Sequence, residues 1–341
     1  MANWLSGYTT RKKITIDKSK IDSDLTDFPV LVKLTSSNFD FSKANSDGFD
    51  LRFTSSDGTT LLKYERERHD ATNKLAEYWV KIPSISSTAN TIFYLYYRVE
   101  DTADGADPTN VWDSNFKGVW HMKDLTTSTI EDSTSNNNDG TKKASNEPIQ
   151  ADRQIAKAQG FDGSDDYIDC GNDASLNITD EITIEAWIYP KNLVGEKTIL
   201  RKEGQIAFNI IPNDLCLWLR KSGSWTNVVS TGGFSSGDIN KWYHIVATWD
   251  GNYPKLYVNG ELEATGSQYI GPLDSSSYKD YIGVLTDESN WRYFFNGSID
   301  EVRISSVARS ADWIKATYYS LNNSLLTYGA EETNANFFPF F

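Results

Sequence analysis

Two cysteines and three histidines among 341 residues leave little material for a disulfide framework or a His- or Cys-based zinc site. No apolar run approaches the roughly 20 residues of a membrane-spanning helix, so membrane insertion is not expected. Basic side chains are in deficit: 33 Lys and Arg face 47 Asp and Glu, a formal charge of −14. A chain so acidic is repelled by phosphate backbones, which argues against nucleic acid as a partner. Met1–Tyr8 also lacks the apolar core and small-residue cleavage site of a secretory signal. The expectation is either an exported chain without its leader or a protein made and assembled in the cytoplasm.

Aromatic residues, by contrast, are plentiful, with 11 Trp, 18 Tyr and 16 Phe, and a chain of this length can bury a core without staples. Short runs rich in β-branched and aromatic residues recur between turn signals: Arg11–Asp17, Phe28–Leu34, Asp50–Thr54, Tyr78–Ile82 and Thr91–Arg98. The spacing predicts an antiparallel sandwich. The polar stretch Glu100–Asn110 breaks the pattern and marks a boundary. Strand signals then resume from Phe116 and continue to Gly297–Ile304. Asn259-Gly260 between Lys255–Val258 and Glu261–Ala264 is a two-residue hairpin signal. One helix is expected over Ala311–Tyr319, with Ser310 as its cap. The expected fold is therefore all-β, with two antiparallel sandwiches over residues 1–112 and 113–333 and an aromatic tail over 334–341. The acidity belongs to the second, where 31 acidic residues face 19 basic ones, against 16 and 14 in the first.

Five segments carry a family resemblance: Phe161–Ile168 (FDGSDDYI), Ile182–Pro190 (ITIEAWIYP), Lys241–Gly251 (KWYHIVATWDG), Leu256–Gly260 (LYVNG) and Gly297–Ile304 (GSIDEVRI). In this order they resemble a laminin-G-like jelly roll of the concanavalin-A-like lectin/glucanase superfamily. The first half, through RKKITI, DFPVLVKL, DLRFTSSDG, YWVKIPSI and NTIFYLYY, is similar to an uncharacterised β-sandwich family often found ahead of such domains. Together these resemblances imply a surface protein of a bacterium, archaeon or virus. They also imply one structural calcium ion, held by Asp162 and Asp300 with Glu301 and the Gly163 carbonyl. On the residues alone, Asp162 could equally make an Asx-type turn and Asp300 sit exposed at a strand end.

The superfamily includes glucanases that carry Glu-x-Asp-x-Glu on one strand, where alternation puts three carboxylates on one face. Here Glu181-Ile182-Thr183-Ile184-Glu185 has Thr in the middle, so no catalytic set is assigned and the chain is read as a non-enzyme. His69, His121 and His244 lie near no recognisable triad partner and are expected to be packed in sheets. Cys170 and Cys216 are expected to be free thiols. Trp225, Tyr253, Tyr269, Tyr278 and Trp291 are candidate platforms for glycans, being aromatics on loops or outward strand positions beside hydrogen-bonding residues. In the tail, Phe337, Phe338, Phe340 and Phe341 are candidates for an anchor into a neighbouring subunit rather than a fold-back onto the same chain. The resulting expectation is a structural or adhesive protein at a virion surface, or at the extracellular or cell surface. Its expected partners are copies of itself or other surface proteins, and glycans. A secreted or cell-wall carbohydrate-binding adhesin module is the alternative, with a glycoside hydrolase disfavoured.

Overall fold

The computed structural model describes residues 3–97, 103–124, 128–144, 147–151, 157–212, 214–230, 233–234 and 236–334. All elements below are among these residues, and the four tail phenylalanines lie outside them. The chain divides into two compact units, 1–113 with 319–341, and 114–318.

The first unit holds a four-stranded sheet, ordered Leu326–Thr333, Thr10–Ile16, Thr91–Tyr97, Arg52–Ser55. A three-stranded sheet, ordered Leu25–Thr35, Leu75–Ile85, Tyr64–Asp70, accompanies it. Alternation along Thr10–Ile16 buries Ile14 and Ile16 completely, and Phe53, Phe93 and Leu95 join them in shielding from water. The placement of Leu326–Thr333 corrects the expected domain limit at residue 333. This strand pairs antiparallel with Thr10–Ile16, from Thr10 opposite Thr333 to Ile16 opposite Leu326, so the end of the chain completes the first unit. Lys43 and Arg11 add ion pairs to Glu331 and Glu332 across that seam.

The second unit is an antiparallel jelly roll of two eight-stranded sheets. One is ordered Ile149–Ala151, Ala158–Asp162, Asn296–Ser305, Ile182–Pro190, Tyr243–Trp249, Pro254–Val258, Glu261–Thr265, with Phe116–Trp120 also paired to Asn296–Ser305. The other is ordered Ser224–Val229, Asp214–Lys221, Ile206–Ile211, Lys197–Lys202, Asp280–Ile282, Ile168–Asp169, Gly140–Lys142, Thr129–Ile130. Their inner faces make one core that includes Ile184, Ile188, Ile245, Ala247 and Ile304 from the first sheet. Ile168, Ile282, Leu200, Phe208, Leu217 and Val228 meet them from the second. Asn259 and Gly260 have φ of 52° and 83°, the positive values that a tight two-residue hairpin requires. Gly297 has φ of 144°, and a Cβ there would lie 2.1 Å from the Tyr189 carbonyl oxygen, so the strand crossing tolerates only glycine.

The helix runs Ala311–Leu321, and Ser310 caps it by accepting the Trp313 amide at 3.1 Å. Ile314 packs on Val246 and Tyr257, which face away from the core. The strand Ile182–Pro190 is consequently buried on both faces, whereas alternation alone suggests a half-exposed strand. Both cysteines are free and buried. No described helix is long and apolar enough to cross a membrane.

Candidate functional site

The sheet that begins at Ser224–Val229 displays a row of side chains opposite to its core row. Cross-strand register puts Asp169 opposite Tyr281, Tyr281 opposite Arg201, Arg201 opposite Ala207, Ala207 opposite Trp218 and Trp218 opposite Asn227. Because successive residues alternate faces, Tyr167 and Trp225 fall on this same side. The short hairpin of Leu285–Thr286 and Trp291–Arg292 adds Trp291, whose ring lies 4.6 Å from that of Tyr167 at an interplanar angle of 31°. Tyr281 closes the group edge-on at 5.4 Å from Trp291. Trp291 remains 38% exposed, so the cluster is in part open to water. Further along the row the Arg201 guanidinium lies over the Trp225 ring, 4.6 Å from its centroid, and pairs with Glu203. Lys279 and Asp169, 2.7 Å apart, supply charged hydrogen-bonding groups beside the stack.

Of the five aromatic candidates, the structure brings Trp225 and Trp291 to this face. Tyr269 packs partly against the core and donates its hydroxyl to the Ser224 carbonyl at 3.1 Å, one residue from Trp225. Tyr253 and Tyr278 are exposed singly on loops, 37% and 40%, and have no ring partner among the contacts described. Sequence reasoning missed Tyr167, Tyr281 and Arg201. The signal was present in the alternation, since Ile168 and Ile282 point inward and force their neighbours out.

The four residues implied for calcium do not converge. Asp162 lies opposite Asn296, four residues along the strand from Asp300, which is roughly 13 Å at the usual strand rise. Its Oδ1 accepts the amides of Ser164 and Asp165 in an Asx-type turn, beside Gly163 at φ 82°. Asp300 and Glu301, far from being exposed, are 0% and 1% accessible. Glu301 is instead part of a buried ionic chain, accepting from His121 at 2.8 Å and from Arg303 at 2.6 Å. Burial pushes its carboxyl up, and His121 and Arg303 outweigh that and hold it below the usual range. Arg303 continues to Glu185 at 3.1 Å, and His244 lies 3.6 Å from the same carboxylate. Glu185 is likewise held low, with Arg303 and His244 overcoming the cost of burial.

This arrangement ties up the carboxylate that a glucanase-like strand would have to free. Thr183 donates to the Val307 carbonyl, and Glu181 accepts the Ala308 amide at the strand's exposed start. His244 packs beside both Trp187 and Tyr318, with ring centroids 5.5 and 6.3 Å away, and His69 contacts the Tyr78 hydroxyl at 2.7 Å. All three histidines are thus held in packed or hydrogen-bonded settings. Elsewhere, Glu147, Asp165 and Asp166 bring carboxylate oxygens within 4.8 Å of one another. The Asp166 carboxyl is pushed up to about 6, first by burial and then by the neighbouring Asp162, Glu147 and Asp165.

No curated protein matches the chain. Among solved structures, domain 4 of AbnA, a GH43 extracellular arabinanase from Geobacillus stearothermophilus, in complex with arabinotriose, is 21% identical. The alignment covers 59% of this chain and 97% of that one, with a TM-score of 0.47. The binding domain of botulinum neurotoxin serotype G is 17% identical over 60% of this chain, with a TM-score of 0.49. The serotype D ligand-binding domain, in complex with N-acetylneuraminic acid, is 16% identical over 60%, with a TM-score of 0.47. The match spans about half of each toxin domain, 51% and 50%. Residues 47–141 match a family described only as a domain of unknown function (DUF2341). Residues 162–315 match the model of the concanavalin A-like lectin/glucanases superfamily, and the antiparallel jelly roll of the second unit is the fold that this match implies.

Proposed function

We propose that the protein is a non-catalytic glycan-binding component of a surface, and that the second unit binds sugar on its Tyr167, Trp291, Arg201 and Trp225 face. The open Tyr167–Trp291 stack carries the reading, because a pyranose or furanose ring can lie on the exposed indole. Lys279, Asp169 and Arg201 stand within the same row to bond hydroxyls or a sugar carboxylate. Leaving a Trp partly in water beside fixed charges has a ready explanation in such a ligand. The absence of catalysis is supported by Glu185, which is locked to Arg303 and His244, and by Thr183 at the middle position. We place the protein on a virion or at the cell exterior on composition: it is acidic and short of His, Cys and Met. Copies of itself or other surface proteins are its proposed assembly partners.

A glycan array probed with the intact chain, including arabino-oligosaccharides and sialylated glycans, tests the reading. The expected result is a defined set of bound glycans whose signal falls at least tenfold in Trp291→Ala and Trp225→Ala, and is unchanged in Tyr253→Ala. An array with no bound glycan, or binding that survives both tryptophan changes, would overturn it.

A further inference from the structure

We propose that Glu147, Asp165 and Asp166 form a calcium site, distinct from the residues to which the family resemblance points. Two separated segments of the chain bring three carboxylates together, each offering an oxygen within 4.8 Å of the others. Asp166 is the decisive member. It is 4% exposed, its Oδ2 accepts the Asp162 amide at 2.7 Å, and its buried Oδ1 has no hydrogen-bond partner. A buried carboxylate oxygen left unpaired is expensive, and a bound cation removes that cost.

Lys143 reaches the outer pair, Glu147 at 3.1 Å and also Asp165. It neutralises one of three negative charges, so the cluster retains the charge that a divalent ion would balance. The donors are all hard oxygens with no His or Cys, which selects calcium over zinc. Asp165 and Glu147 are 56% and 48% exposed, giving the ion an entry path and leaving water free to complete six to eight oxygens. Asp166 directly precedes Tyr167, so the ion would fix the turn from which the aromatic stack starts. The site is nevertheless read by ion binding and stability, and stands or falls separately from glycan binding.

The intact chain is freed of metal with chelator and titrated with calcium chloride by calorimetry, with Tm measured in parallel. One ion per chain should bind, and Tm should rise by about 5 °C or more at a hundredfold excess over Kd. Asp166→Asn should weaken binding at least tenfold and abolish the rise while folding normally in chelator. Should that variant fail to fold, the exposed Glu147→Gln provides the same reading, with binding weakened several-fold. Lys143→Met should tighten binding, since its ammonium competes with the ion. Magnesium at the same concentration should give the smaller Tm rise. The proposal is overturned by wild-type protein that shows neither heat nor Tm change, by Asp166→Asn or a folded Glu147→Gln binding like wild type, by Lys143→Met weakening the ion, or by an equal magnesium response.

Discussion

The two sheets of the second unit put their outward-facing side chains to opposite uses. On the sheet centred on Ile182–Pro190, the outward residues Glu185 and Trp187 are 5% and 3% exposed, and the helix Ala311–Leu321 lays Ile314 over Val246 and Tyr257. Buried charges there form a chain, from His121 through Glu301 and Arg303 to Glu185. On the sheet carrying Asp169, Tyr281 and Arg201, the outward row ends in a stack whose Trp291 stays 38% exposed. Both rows obey the same alternation. What differs is the covering at the end of the row: Tyr281, Arg201 and Ala207 are themselves 4%, 8% and 0% exposed, whereas the neighbouring Trp291 stays partly in water.

The sharpest way to break this contrast is to remove Arg303. Arg303→Met strands Glu301 and Glu185 without their shared cation, and should cost about 3–5 kcal/mol in denaturant unfolding. A cost near zero would mean that the buried charges are not held as described. Glu185→Gln leaves Arg303 its bond to Glu301, so a smaller loss of about 1–3 kcal/mol is expected in the same measurement.

A third measurement probes Asp280 on the open sheet, whose carboxyl burial pushes up to about 6 despite its 2.7 Å contact with Lys202. Between pH 4 and 6 the folded chain holds a proton there that the unfolded chain has released, so this contribution to stability is full below about pH 4 and is lost as pH rises through about 6. Asp280→Asn should flatten that part of the stability curve, and an unchanged slope would contradict the assignment. The smallest effect on stability belongs to the open row: Trp291→Ala should cost no more than about 1 kcal/mol.

Much of the fold was legible because β-branched and aromatic runs alternate cleanly, as in Ile182–Pro190 and Tyr243–Trp249. The strand Tyr64–Asp70 escaped notice because it reads as charge, YERERHD. Its acids are buried with partners, Glu67 taking the Trp79 indole N–H at 2.7 Å, Glu65 that of Trp112 at 2.9 Å, and Arg68 pairing with Glu77. Leu326–Thr333 was hidden by its own Gly and polar residues, and by pairing with a strand more than 300 residues earlier. For the site, Trp225 and Trp291 were visible as outlying aromatics, whereas their union with Tyr167, Tyr281 and Arg201 depends on sheet order. The calcium positions drawn from resemblance lie apart for a related reason, since spacing in sequence gave no sign that Asp300 is buried or that Asp162 sits opposite Asn296.

The most direct test of the account is a paired measurement on Trp291→Ala: affinity for the strongest glycan of the array, and Tm. The account predicts at least a tenfold loss of affinity, equivalent to about 1.4 kcal/mol, with Tm lowered by no more than a few degrees. Undiminished affinity in a folded Trp291→Ala chain would contradict it.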